Sequence, residues 1–162
     1  MAPADLLRPL DGQRAETLRL IDSLSEDHLS HPVEGDGRTV GQILCHLARR
    51  EIGFTFVIQA ALEGELVHLS PEAREQLDVT EYVPAPGWDL AQIRRELIEA
   101  RQSLHGTFAG MDDDDLDRPI RWPEWPARTI RGSIPYMLEH EDSHLDDIRA
   151  TLQSERQDSA QA

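Results

Sequence analysis

The chain contains no lysine and no asparagine, and all 16 of its basic residues are arginine. Both missing residues have A-rich codons, so a GC-rich coding sequence accounts for the pair. The chemical consequence is that Schiff-base catalysis, a covalent pyridoxal site and a phosphate-loop lysine are all excluded. Cysteine occurs once, at Cys45, which rules out an intrachain disulfide and a cysteine-rich metal knuckle. Aromatic residues make up only 5% of the chain, so a core has to be built mainly from Leu, Ile, Val and Ala. No apolar run approaches membrane-spanning length, and the opening MAPADLLRPLDGQRAETL has no apolar signal core. The expected location is therefore the cytoplasm, with no membrane partner.

What the chain has in excess is acid. The formal charge is −15 and the pI near 4.7, which opposes binding to nucleic acid, whose phosphates need basic patches. It equally opposes docking on anionic membranes. The direct consequence is solubility.

At 162 residues the chain is expected to form one domain, over residues 1–154, followed by a disordered tail over 155–162. Apolar residues at spacings of three and four mark four helices. The first runs from about Ala4 to His28. The second opens at Thr39, a good N-cap, and continues through Phe54 to Ala61. Asp89 caps the third, and the fourth runs from about Ile130 to Leu152, with Pro135 early enough to bend rather than break it. No segment alternates with period two, so no sheet is expected. The fold class is all-α, a four-helix bundle. Its connection between helices two and three, Gly64 to Trp88, is long enough to let those helices run parallel.

Two stretches resemble each other. LSEDHLSHP…RTVGQIL at Leu24–Leu44 and MDDDDLDRP…RTIRGSI at Met111–Ile134 share an acidic run, Leu-x-x-Pro, then Arg-Thr opening a long helix. Two helical hairpins related by duplication would produce this pattern, as would two similar joints arising separately.

The stretch MLEHEDSHLDDI, Met137–Ile148, contains His140-Glu141-x-x-His144. Two histidines four apart share one helix face, and neutral imidazoles at that spacing can ligate one metal ion. At about 100° per residue, Ser133, Met137, Asp147 and Thr151 fall on the same side, a partly buried flank where two imidazoles need polar partners. The letters match a zinc-peptidase helix, but the third ligand of that class is missing. The extended spacing falls on Ala150, which cannot ligate, and the next glutamate, Glu155, lies in the terminal segment. His46 on helix two, at the edge of the apolar stripe, is the better third candidate. Its alternative is a histidine hydrogen-bonded at a helix interface. His28 and His31 read as surface, His68 and His105 have no partner at metal spacing, and the run Asp112–Asp115 lacks the alternation of a calcium loop. Cys45 points about 100° away from His46 and reads as a small buried apolar residue.

The segments RTVGQILCHLARRE and LDRPIRWP…RTIRGSIPYMLEHEDSHLDDI resemble the DinB/YfiT-like superfamily of metalloenzymes, over nearly the whole chain to Ile148. (The name is unrelated to the DNA polymerase that shares it.) The resemblance implies a four-helix bundle holding one divalent ion, zinc or nickel among others, through His46, His140 and His144. It implies an activity among thiol S-transferases that use bacillithiol, a mycothiol-dependent isomerase, and hydrolases of unknown substrate. A low-molecular-weight thiol would then be a second cofactor and a small electrophile the substrate. A homodimer is one assembly open to it. The chain departs from the pattern at Asp147, where relatives often carry Gln. Asp147 is thus open as fourth ligand, second-layer partner or general base, and Glu141 as general base or as one half of a buried ion pair. Arg49, Arg50, Arg128 and Arg131 are candidates to bind an anionic substrate locally. Trp122 and Trp125, in IRWPEWPART, are candidates for an apolar lid, with ordinary bundle-end packing as the plainer role. A non-catalytic helical module with a structural metal is the competing class.

Overall fold

Four long helices carry most of the described residues: α1 (Arg8–Asp22), α2 (Val40–Leu62), α3 (Leu90–Ala109) and α4 (Ile130–Gln161). The computed structural model describes residues 2–65, 67, 72, 88–121 and 128–161, with side chains to 157. Most of the connection between α2 and α3 lies outside the described residues, as do Trp122 and Trp125.

The helix starts follow from their first residues. The Thr39 hydroxyl accepts the Gln42 amide at 3.3 Å, and the Gln42 side chain accepts the Thr39 amide at 2.8 Å, a reciprocal cap on α2. The Asp89 carboxylate accepts the Gln92 amide at 2.7 Å at the start of α3. The Thr129 hydroxyl accepts the Gly132 amide at 3.1 Å at the start of α4. Each satisfies a donor that the first helical turn leaves open.

Three expectations need correction. The first helix stops at Asp22 instead of reaching His28. The Ser23 hydroxyl bonds the Leu20 carbonyl, the Ser25 amide donates to His28 Nδ1, and Glu26–Ser30 forms a short 3-10 turn. Serine side chains here give the backbone local alternatives to the helix. The second correction is a small antiparallel ribbon, β1 (Pro119–Ile120) against β2 (Arg128–Thr129), where no strand was expected. Two-residue strands are too short to show an alternating pattern. The last is the C-terminal end: the fourth helix, expected to run to about Leu152, continues to Gln161. No Gly or Pro interrupts the segment, and the Glu155 carboxylate meets His31 Nδ1 at 2.7 Å.

The two similar stretches adopt the same joint. In the first, Pro32 bridges Thr39 and the Val40 amide donates to the His31 carbonyl at 2.9 Å. In the second, Pro119 pairs with Thr129 and the Ile130 amide donates to the Arg118 carbonyl at 3.1 Å. Val40 and Ile130, the residues that follow the two threonines, are both fully buried.

Side-chain contacts set the directions. Arg101 meets Glu51 and Thr107 meets Gln59, so α2 and α3 run parallel. Arg14 meets Glu141 and Glu16 meets Arg149, so α1 and α4 run parallel too. Asp11 meets Arg101 while Asp22 meets Arg94, which makes α1 antiparallel to α3. The order is up, down, down, up. It requires the connection from Glu63 to Asp89 to travel back along a helix of 23 residues, roughly 34 Å at 1.5 Å per residue.

Two apolar clusters fill the two ends of the bundle. Leu7, Leu10, Phe54, Ile58, Leu104, Phe108 and Ile134 belong to one, and Ile21, Val40, Leu44, Ile93, Leu97 and Ile148 to the other. Each fully buried side chain of this size contributes roughly 1.5–3 kcal/mol. Between the clusters, every helix carries a buried or half-buried polar side chain: Arg14 and Thr17 on α1, Glu51 on α2, Arg101 on α3, His140 and Glu141 on α4. This polar waist positions the site.

Candidate metal centre

Half of the waist is a closed ion cluster. Arg14 Nε donates to Glu141 Oε1 at 2.9 Å, and its Nη2 also reaches Glu51. Arg101 Nε donates to Glu51 Oε1 at 2.7 Å, and its Nη2 lies 3.5 Å from Glu141 Oε2. The Thr17 hydroxyl, the Leu97 carbonyl and, at the edge of the cluster, the Asp11 carboxylate, 3.2 Å from Arg101 Nη1, complete the hydrogen bonding. Arg14, Glu51, Arg101 and Glu141 are at most 6% exposed, and the two cations balance the two anions. Burial pushes the Glu141 carboxyl up, but Arg14, Thr17 and Arg101 outweigh it and hold the group below the usual carboxylate range. Glu141 is therefore committed to the ion cluster that ties α1, α2, α3 and α4 together. Of its two open roles, the ion pair is the one the geometry supports, not the general base.

The other half is the histidine group. His46 lies two turns into α2, and His140 and His144 lie one turn apart on α4. One ring nitrogen from each comes within 4.8 Å of the others. The Nε2 atoms of His46 and His140 are 3.2 Å apart, and the three ring centroids are separated by 4.7 to 5.2 Å. His46 is 3% exposed and the other two are half-buried. Burial pushes the His140 imidazole down to about 3, with His144, His46 and Arg50 adding to the effect. Burial also pushes His144 down to about 4, with His46, Arg38 and Arg50 acting in the same direction and Asp36 against them. Both imidazoles are therefore neutral at pH 7, with lone pairs available to a cation.

This donor set fits a divalent ion. Two nitrogens each about 2.0–2.1 Å from a tetrahedral zinc stand roughly 3.3 Å apart, and the 3.2 Å between His46 and His140 matches that edge. Among the described residues no Cys, Asp or Glu joins the three histidines in the group. Three protein ligands leave coordination positions open, the arrangement of catalytic rather than structural sites.

The remaining expected site residues are dispersed. Asp147 is exposed and outside the histidine group, although it follows His144 by three residues on the same side of α4. The Arg49 guanidinium lies over the Trp88 ring, 5.1 Å from its centroid. Arg131 is at the surface, paired with Asp113 and Asp117. Arg50 lines a cleft with Leu47, Met137, Tyr136 and His140. Arg128 stands over the Tyr136 ring at 5.3 Å, and that ring is stacked in turn on His140 at 6.2 Å and 17°. Cys45 is fully buried and burial pushes its thiol up to about 12, which leaves it inert at neutral pH. Sequence reasoning missed Tyr136 and Asp36. Only the glycines on either side of Asp36 could have drawn attention to it.

Residues 9–148 match the profile of the DinB superfamily. The chain belongs to that superfamily. Among its relatives is the uncharacterized protein YuaE of Bacillus subtilis (strain 168), 21% identical over 146 residues, covering 84% of this chain and 90% of that protein. Among solved structures, YfiT from Bacillus subtilis superposes with a TM-score of 0.76 at 16% identity, over 94% of this chain and 86% of its own. It is described as "a probable metal-dependent hydrolase with an unusual four-helix bundle topology". The mycothiol-dependent maleylpyruvate isomerase superposes with a TM-score of 0.75 at 13% identity, over 91% of this chain. This chain spans 61% of that enzyme's length. At these identities the superpositions establish the shared fold. Among the described residues, no helix is long and apolar enough to cross a membrane.

Proposed function

We propose that the protein is a divalent-metal-dependent enzyme, using zinc or nickel at His46, His140 and His144, that transfers a small cofactor thiol onto small electrophiles in stress or detoxification. The observation that carries the metal reading is three imidazoles from two helices brought together, with no fourth ligating side chain beside them among the described residues. A divalent ion at such a site supplies Lewis acidity, enough to make a thiol or water lose its proton near neutral pH. The cleft beside His140 offers a cationic end at Arg50 and an apolar wall of Leu47, Met137 and Tyr136, and the Arg14 that also lines it is paired with the lining carboxylates Glu51 and Glu141. That combination suits a small organic anion with an apolar body. In the transfer, the thiol proton passes to solvent or a base, and sulfur bonds to the electrophilic carbon. The displaced group leaves with the electrons of the bond that breaks. The thiol is supported by the name of the mycothiol-dependent isomerase with the same fold. Hydrolysis is the second reading, supported by the description of YfiT; at the same site, water would replace the thiol.

The test is elemental analysis of untagged protein beside His46→Ala after dialysis against a mild chelator. About one divalent ion in the wild type and none in the variant is the expected outcome, with thiol-transfer and ester-hydrolysis assays on the loaded protein to follow. A fully folded wild type that neither retains nor takes up zinc or nickel overturns the metalloenzyme reading.

A further inference from the structure

The loop between the first joint and α2, Val33-Glu34-Gly35-Asp36-Gly37-Arg38, is built to hold one side chain inward. Gly35 and Gly37 have φ of +81° and +79°, a left-handed conformation that residues with a Cβ rarely adopt. Nothing lies within 4 Å of a Cβ at either position, so the glycines serve backbone conformation and not close packing. The loop closes on itself through the Val33 amide, which donates to the Arg38 carbonyl at 2.6 Å. The amides of Asp36 and Gly37 both donate to the Val33 carbonyl at 3.3 Å. It is fastened to α4 by the Glu34 amide, which donates to the Thr151 hydroxyl at 3.2 Å. Thr151 lies two turns beyond His144 on the same face of that helix.

This loop carries Asp36 alongside α4, on the side of the helix that holds His144 and Thr151. One of its oxygens, Oδ2, accepts from Arg38 at 3.3 Å. The other, Oδ1, is buried and has no hydrogen-bond partner among the described residues. His144 Nδ1 is likewise buried and without a hydrogen-bond partner. A buried polar atom left unsatisfied is destabilising, and here an orphaned acceptor and an orphaned ring nitrogen sit on a loop and a helix that are fastened together. The charge of Asp36 does reach the His144 ring, where it opposes the effect of burial.

We propose that Asp36 is the positioning residue of the metal centre. Its carboxylate accepts the Nδ1–H of His144, directly or through one water, when a cation is bound. This would hold the tautomer that presents the Nε2 lone pair and would raise the basicity of the ring. The inference rests on the metal reading of the three histidines. It also assigns to Asp36, in the loop before α2, the carboxylate role that the sequence left open for Asp147 on α4.

The test is zinc affinity, measured by competition with a chromogenic chelator, for the wild type, Asp36→Asn, Asp36→Ala and Arg38→Gln. The fold of each is checked by circular dichroism. Removing an anionic partner of a ligating histidine weakens metal binding roughly 10- to 100-fold, and that loss is expected in both Asp36 variants with helicity unchanged. Arg38→Gln breaks the Asp36–Arg38 pair but removes a positive charge near the site, so its affinity is expected to stay equal or increase. Affinity within twofold of wild type in Asp36→Ala overturns the proposal. So does an equal loss in Arg38→Gln, which would mean that loop integrity alone matters. Should the Asp36 variants fail to fold, a structure of the zinc-loaded wild type decides. Asp36 more than one water away from His144 Nδ1 would refute the role. A wild type that binds no zinc is a different failure, that of the metal reading itself.

Discussion

The two halves of the bundle use one framework for two purposes. Counting back from the shared Leu-x-x-Pro joint, Arg14 precedes Leu29 by 15 residues and Arg101 precedes Leu116 by 15. Counting forward from the shared threonine, Glu51 and Glu141 each follow by 12. These four residues form the buried ion cluster, so the positions that hold the fold together are the same in both halves. Seven, 11 and 15 residues after the threonine, the first half has His46, Arg50 and Phe54, and the second has Tyr136, His140 and His144. At these positions the halves differ at every step, and the differences assemble the histidine group and its cleft. The lesson is a separation of roles: repeated positions supply stability, and unrepeated positions supply the chemistry.

The largest test of this separation removes one charge from the repeated set. Glu51→Ala and Glu141→Ala each leave the two buried guanidinium groups of Arg14 and Arg101 sharing one buried carboxylate instead of two, and each is expected to cost about 3–5 kcal/mol, read from urea unfolding. Similar losses in the two variants sustain the equivalence. A Glu141→Ala protein as stable as wild type but without activity would instead return Glu141 to the list of catalytic bases.

The unrepeated set has a distinct signature in acid. His140 and His144 are held down to about 3 and about 4 in the folded chain, below the ordinary histidine value near 6.5. The unfolded chain therefore takes up these protons first. Stability of metal-stripped protein is expected to fall as pH drops from about 6.5 toward 4, by at most about 1.4 kcal/mol per pH unit for each histidine. Above pH 7 the two rings contribute no slope. Urea midpoints across this range check the prediction, and His140→Ala with His144→Ala should flatten the profile. An unchanged profile in that double variant would place the acid sensitivity elsewhere.

The smallest effect returns to the joints. Thr39 and Thr129 each accept the amide three residues on, so Thr39→Ala and Thr129→Ala are each expected to lose about 1 kcal/mol. A clear loss at one and none at the other, in thermal unfolding, would break the likeness of the two helix starts.

Much of this arrangement was legible in the residues. Helix spacing, the Thr39 and Asp89 caps, the long connection that allows parallel α2 and α3, and the trio His46, His140 and His144 all follow from local pattern or from the family resemblance. Local pattern reads these features because capping and amphipathic spacing act over one or two turns. The same logic explains why local pattern left the roles of Glu141 and Asp147 open. Both lie near the ligand pair along the chain. Glu141 turns toward Arg14, Thr17 and Arg101, partners between 40 and 127 positions away. Asp147 turns to water.

The sequence by itself determined the helices, their caps, the repeated joints and the His140–His144 pair that could bind a cation, since each depends on residues a few positions apart. Only the tertiary structure decided that Glu141 belongs to a buried ion cluster, that Asp147 stands outside the histidine group, and that the loop of Asp36 is fastened to the helix of His140 and His144. Charges and imidazoles act through space over a few ångströms, and the neighbours they meet at that range are set by how helices far apart in the chain pack together.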